Sequence, residues 1–143
     1  MVTIGVKRLR LDAIIPKYTH DGAFGDLAAD LYAVEEVTFL TGDVKTISTG
    51  IALEFPPGYG AVVADRSGLA IKGLTTFAGV IDPGYRGELK IVAAYFGATP
   101  LVLKAGDRVA QLRIVERIGA SFHEIDELGT SERSDRGFGS SGL

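Results

Sequence analysis

The chain contains no cysteine, which excludes disulfide bridges and thiolate metal sites. Its two histidines, His20 and His123, lack the spacing of a metal-ligand pair. No apolar run approaches the ~20 residues that cross a bilayer as a helix. Residues 1–7 lack the long apolar core of a secretory signal and read as a first strand. A formal net charge of -3 argues weakly against a broad basic surface for nucleic acid, although local arginines could still line a small anion pocket. Sustained helical periodicity, internal repeats and a second domain are all missing. What remains is one domain of 143 residues, expected in the cytoplasm, with neither membrane nor nucleic acid as a partner.

An apolar content of 46% is enough to bury a core at this length. The apolar residues come in short runs separated by many of the 19 glycines. Residues 47–55, 59–64, 88–95, 100–103 and 108–115 alternate or run apolar over strand lengths. Between them stand turn signals such as Phe55-Pro56-Pro57-Gly58-Tyr59-Gly60 and Lys104-Ala105-Gly106-Asp107. Many short strands with frequent turns predict an all-β sandwich, jelly roll or barrel. Residues 129–143, rich in glycine, serine and charge, are expected to form a flexible arm beyond a folded domain of residues 1–128.

Three polar pieces break this apolar pattern. In Asp65-Arg66-Ser67-Gly68, a helical turn over 69–73 would aim free N–H groups at an anion, with a serine hydroxyl and an arginine fork beside them. A capped turn with a surface arginine fits the same residues. In Ile81-Asp82-Pro83-Gly84-Tyr85, Asp82 either heads a Pro-Gly turn or serves as a general base toward water, and Tyr85 either packs at a strand edge or offers its ring to a sugar or base. In Gly137-Phe138-Gly139-Ser140-Ser141-Gly142, a phenylalanine between glycines is badly placed for strand packing but well placed to stack on a flat ligand. Glycine N–H groups and Arg133 could meet phosphates there, and a frayed tail is the bland alternative.

Taken in order, these pieces resemble the five motifs of the trimeric dUTPase family. Asp30-Leu31-Tyr32-Ala33 is similar to the first, Arg66-Ser67-Gly68-Leu69-Ala70 to the second, and Gly79-Val80-Ile81-Asp82 through Tyr85-Arg86-Gly87-Glu88 to the third. Gly106-Asp107-Arg108-Val109-Ala110-Gln111-Leu112 is similar to the fourth, and Arg133 with Gly137 to Gly142 to the fifth. The resemblance covers nearly the whole chain. It implies a jelly-roll-like distorted β-barrel, a homotrimer with active sites shared between subunits, and hydrolysis of dUTP to dUMP and pyrophosphate. That reaction limits uracil in DNA and supplies dUMP for thymidylate synthesis.

By the same resemblance Asp82 activates the water that attacks the α-phosphorus, and Tyr85 packs under the deoxyribose and rejects a 2′-hydroxyl. Gly79, Val80, Ile81 and the backbone of Lys90 hold the uracil edge. Thr76 stands where many relatives carry a base-reading asparagine. Arg66, Ser67, Gly68 and Gln111 hold phosphates. Phe138 stacks on uracil, while Arg133, Gly139, Ser140 and Ser141 close over the phosphates. Mg2+ rides on the triphosphate, with Asp30 supporting it through water and Asp26 as a nearby alternative. Arg108 reads as a structural partner of a carboxylate near the barrel. Two alternatives share these features. A dCTP deaminase-like or bifunctional enzyme would need a glutamate on the strand after Tyr85, where Val92 stands. A non-catalytic dUTP-binding trimer would have little need for both Asp82 and the Phe138 arm.

Overall fold

The computed structural model describes residues 1–131. Strands β1 (Gly5–Arg8), β2 (Ala29–Tyr32), β3 (Val37–Phe39), β4 (Val44–Glu54) and β5 (Tyr59–Ala64) are followed by the short helix α1 (Ser67–Ala70). Then come β6 (Leu74–Phe77), β7 (Val80–Ile81), β8 (Glu88–Tyr95), β9 (Leu101–Leu103) and β10 (Arg108–Glu116). The five runs read as strands from their apolar pattern are β4, β5, β8, β9 and β10, and the first strand lies at β1. The helical turn begins two residues earlier than expected and closes at Gly73, whose N–H donates to Ala70 O. Among the described residues no helix is long and apolar enough to cross a membrane.

All strand pairs are antiparallel. They form one sheet in the order β1-β4-β8-β6, a second in the order β2-β10-β5-β7, and a two-stranded sheet of β3 and β9. On β8, Leu89, Ile91 and Ala93 are buried while Lys90 is exposed, the period of two that a pleated strand imposes. Leu31 from β2, Ala61 and Val63 from β5 and Val109 from β10 meet this face from the second sheet. Phe39 closes the cluster and packs edge-on against Tyr95. Each such large side chain contributes about 1.5–3 kcal/mol by leaving water. One core shared by three sheets makes this the all-β, jelly-roll-like distorted barrel that the sequence implied. β4 is not continuous. It bulges between Ser48 and Ala52, where Gly50 has φ 68° and its N–H donates to the Glu88 carboxylate.

Two consequences of this topology place the site. Register across the second sheet sets Gln111 of β10 opposite Asp30 of β2 on one side and opposite Ala64 of β5 on the other. Three stretches far apart in sequence therefore become neighbours. In addition, β6 belongs to the first sheet, β7 to the second and β8 to the first again. The chain from Leu74 to Tyr95 thus crosses between sheets twice, and a cavity opens where it crosses.

Candidate active site

That cavity, about 230 Å³, is walled by Val63, the crossing residues Phe77 to Asp82, Tyr85, Glu88, Lys90, Ile91 and Val92. The turn from β6 to β7 has positive φ at both central residues, 58° at Ala78 and 98° at Gly79. Ala78 is the one non-glycine residue with positive φ among those described. An L-residue held there costs of order 1–3 kcal/mol, and such strain concentrates at ligand-binding backbone. The turn is pinned by Val63 N–H donating to Gly79 O at 2.8 Å. The next crossing, Asp82-Pro83-Gly84-Tyr85, is a β-turn closed by Tyr85 N–H to Asp82 O at 3.1 Å, with Pro and Gly at its centre. The Arg86 guanidinium braces it by donating to Pro83 O and Tyr85 O.

Asp82 closes this turn and also lines the cavity. Its carbonyl heads the turn, the residue is exposed on the cavity wall, and its carboxylate has no partner among the described residues. Tyr85 lines the same cavity, with its hydroxyl spent on Glu88 O at 3.0 Å and its ring half exposed. Gly79, Val80, Ile81 and Lys90 all stand on this wall, as their assignment required. Val92 stands there too, so the place where a deaminase would present a glutamate carries an apolar side chain.

Thr76 is placed differently. Its hydroxyl and N–H both donate to Asp65 Oδ1, at 2.6 and 2.7 Å, and the Thr75 hydroxyl donates to Asp65 Oδ2 at 2.8 Å. The hydroxyl that would read the base is committed to Asp65, and Thr76 is not on the cavity wall. Burial opposes ionisation of Asp65, but the hydrogen bonds from Thr76 and Thr75 outweigh it and hold the carboxyl below its ordinary value.

A second cavity, about 180 Å³, shares no lining residue with the first. It is lined by Thr19, His20, Asp26, Ala28, Asp30, Arg66, Arg108 and Gln111. Asp30 is buried between two guanidiniums. Its Oδ1 lies 3.1 Å from Arg66 Nε, and its Oδ2 lies 3.3 Å from Arg108 Nη1 and accepts from the Thr19 hydroxyl at 3.1 Å. Arg108 thus has the structural carboxylate partner expected of it. Arg66 also donates from Nη1 to Arg108 O. Its buried Nε is close to Asp30 but badly aligned, so the contact is an ionic attraction and the N–H bond remains unspent.

Ser67 and Gly68 open α1, where Leu69 and Ala70 N–H donate to Arg66 O. Asp26 is committed elsewhere. It accepts from the His20 ring at 3.0 Å and from the Thr19 and His20 N–H groups, and the His20 ring followed by these N–H groups holds its carboxyl below the ordinary range. Arg133, Phe138, Gly139, Ser140 and Ser141 lie outside the described residues.

The described site residues thus form two groups on one chain. One cavity is apolar, with a strained backbone turn, an aromatic ring and an unpaired carboxylate, and is suited to a flat heterocycle and its sugar. The other carries two arginines and an amide and is suited to an anion. Among the described residues no group of three His, Asp or Glu side chains could hold a metal.

A family model described as dUTPase matches residues 13–142. A deoxyuridine 5′-triphosphate nucleotidohydrolase of Thermobifida fusca is 44% identical over 145 residues, covering 99% of this chain and 79% of its own length. One of Solibacter usitatus is 44% identical over 142 residues, covering 97% and 95%. Among solved structures, a mutant dUTPase of Staphylococcus bacteriophage 80alpha with dUpNHpp superposes with a TM-score of 0.84 at 26% identity, covering 99% of both chains. A mutant dUTPase of phage phi11 of S. aureus, with a structural Mg(II) ion, superposes with a TM-score of 0.78 at 24% identity, covering 87% of this chain and 97% of its own.

Proposed function

The chain belongs to the dUTPase family and is a dUTP nucleotidohydrolase, and we propose how its residues divide that reaction. The unpaired carboxylate of Asp82 on the cavity that also holds Tyr85 carries the reading. Asp82 accepts a proton from water as the water oxygen bonds to the α-phosphorus. The bond from that phosphorus to the bridging oxygen breaks, and pyrophosphate leaves with the electron pair. The product dUMP keeps the water oxygen.

Uracil lies against the backbone of residues 78–81, whose fixed N–H and C=O groups read its edge. Tyr85 underlies the deoxyribose. The phosphates meet Arg66, Ser67, Gly68 and Gln111, with Asp30 holding the Arg66 guanidinium in place through its Nε. Within a homotrimer, the base cavity of one subunit is completed by the phosphate-binding groups of another. Residues 129–143 are assigned to an arm that closes this composite site, Phe138 over the base and Arg133, Gly139, Ser140 and Ser141 over the phosphates.

The donor set fits a Mg2+ carried by the triphosphate rather than one held by the chain. The carboxylates near the phosphate cavity are already committed, and a hard cation that keeps its waters needs few protein ligands. Asp30, buried with both oxygens engaged by Arg66, Arg108 and Thr19, orients the two guanidiniums rather than meeting the ion. When bound, Mg2+ neutralises phosphate charge.

The test is product analysis with purified protein, Mg2+ and, separately, dUTP, dCTP, dTTP and UTP. Release of dUMP and pyrophosphate from dUTP alone is expected. Formation of dUMP from dCTP would replace this reading with a deaminase, and no product from any of the four would leave only binding.

A further inference from the structure

The turn that walls the base cavity hangs from two different sheets. Its outgoing strand β7 is held by β5, through Val62 opposite Val80, Ala61 opposite Ile81, and the Val63–Gly79 hydrogen bond. Its incoming strand β6 is held by β8, with Thr76 opposite Ala93 and Phe77 opposite Val92. The separation of β5 from β6 therefore sets how the backbone of residues 77–80 is stretched, and with it the opening between Val63 and Val80 on one side and Ile91 and Val92 on the other.

Asp65 spans that separation. It follows the last residue of β5 and accepts three hydrogen bonds from β6, two on Oδ1 and one on Oδ2, all between 2.6 and 2.8 Å. An ionised carboxylate is suited to this place. It is acceptor-only at both oxygens, whereas an amide would turn a donor toward one of the threonines.

We propose that Asp65 is a positioning residue for base recognition. By tying Thr75 and Thr76 to the end of β5 it fixes the geometry of the base-reading turn. It also removes the Thr76 hydroxyl from contact with the base, so that backbone rather than a side chain at position 76 reads the ring. The proposal deepens the nucleotide reading above and rests on it.

The test uses the full-length assembled protein. It compares the inhibition constant of dUMP, which carries the base, with that of pyrophosphate, which does not, and follows KM and kcat for dUTP alongside. Replacing three charge-assisted hydrogen bonds by none, in Asp65→Ala, is expected to weaken dUMP about fivefold or more and pyrophosphate less than about twofold. KM for dUTP should rise with dUMP's constant, while kcat changes less. Asp65→Asn, which keeps one acceptor oxygen, should recover part of the loss. A purely structural role would reduce the active fraction and leave both inhibition constants alone.

Equal weakening of both ligands, or unchanged dUMP binding, overturns the proposal. If Asp65→Ala does not fold, Thr76→Val removes one of the three bonds, and unchanged dUMP binding in that variant is equally fatal. Failure of the wild-type protein to hydrolyse dUTP would instead overturn the nucleotide reading itself.

Discussion

Replacing Gly79 by alanine tests whether the β6–β7 turn is the base-reading element, and the cost can be worked out in advance. With φ at 98°, the residue sits where an L side chain pays about 1–2 kcal/mol. An added Cβ would stand 3.0 Å from Val63 O and 3.3 Å from Val63 Cβ, inside ordinary contact distance of a backbone strand that cannot swing away. Relieving that contact stretches or breaks the Val63–Gly79 hydrogen bond, worth about 1 kcal/mol net. The sum is about 2–3 kcal/mol.

Gly58 supplies the control. Its φ is 84°, but an added Cβ would meet nothing within 4 Å, and the residue turns between β4 and β5 away from both cavities. Gly58→Ala should therefore cost only the backbone share, about 1–2 kcal/mol. Urea unfolding of both variants, beside steady-state kinetics with dUTP, separates the two sites. Gly79→Ala should be the less stable variant and should raise KM at least about tenfold, since misplacing a positioning element by ~1 Å costs of order 10²-fold. Gly58→Ala should leave KM unchanged. If the two variants lose the same stability and bind dUTP alike, the turn does not read the base.

Asp82→Asn keeps the turn and the shape of the side chain but removes the base, so kcat should fall by roughly 10²–10⁴ while a non-hydrolysable dUTP analogue still binds. Near-normal turnover would remove Asp82 from the mechanism. Because the folded-state value of Asp65 is depressed, its stabilising contribution is complete above the unfolded value of about 3.9 and is lost as pH falls through the lower folded value. The stability gap between wild type and Asp65→Asn, read by urea unfolding, should therefore shrink between pH 5 and the most acid pH at which the fold survives; a constant gap refutes it. Truncation after Leu128 should preserve folding and assembly while lowering kcat/KM by about 10²-fold or more, the scale of losing preorganised phosphate donors. A truncated protein that works at full rate would show that residues 129–143 do not complete the site.

The parts of the fold legible in the sequence are those whose residues carry a pattern of their own. β8 and β10 alternate or run apolar for eight and nine residues, long enough for the period of two to stand out. β7 is Val80 and Ile81 only, β3 is three residues, and β2 is Ala29-Asp30-Leu31-Tyr32. Strands this short have no period, and they exist because a longer neighbour supplies the hydrogen bonds. β6 was hidden for a related reason. Its two threonines face Asp65, so the polar residues look like loop although they belong to a sheet.

The site was legible to a different depth at each residue. Asp82, Tyr85 and Arg66 each fit a turn, a strand edge or a surface position when taken alone, and stand out only through the order and spacing of the motifs that contain them. The tie between Thr76 and Asp65 does not stand out even so, because their meaning lies in each other, eleven residues apart, and no local rule selects that pairing. The same limit applies to the site as a whole. Order along the chain does not say which motifs share a cavity; sheet order does. Asp30, Arg66 and Gln111 meet because β2, β10 and β5 are neighbours, whereas Asp82 and Tyr85 turn toward β8 in the other sheet.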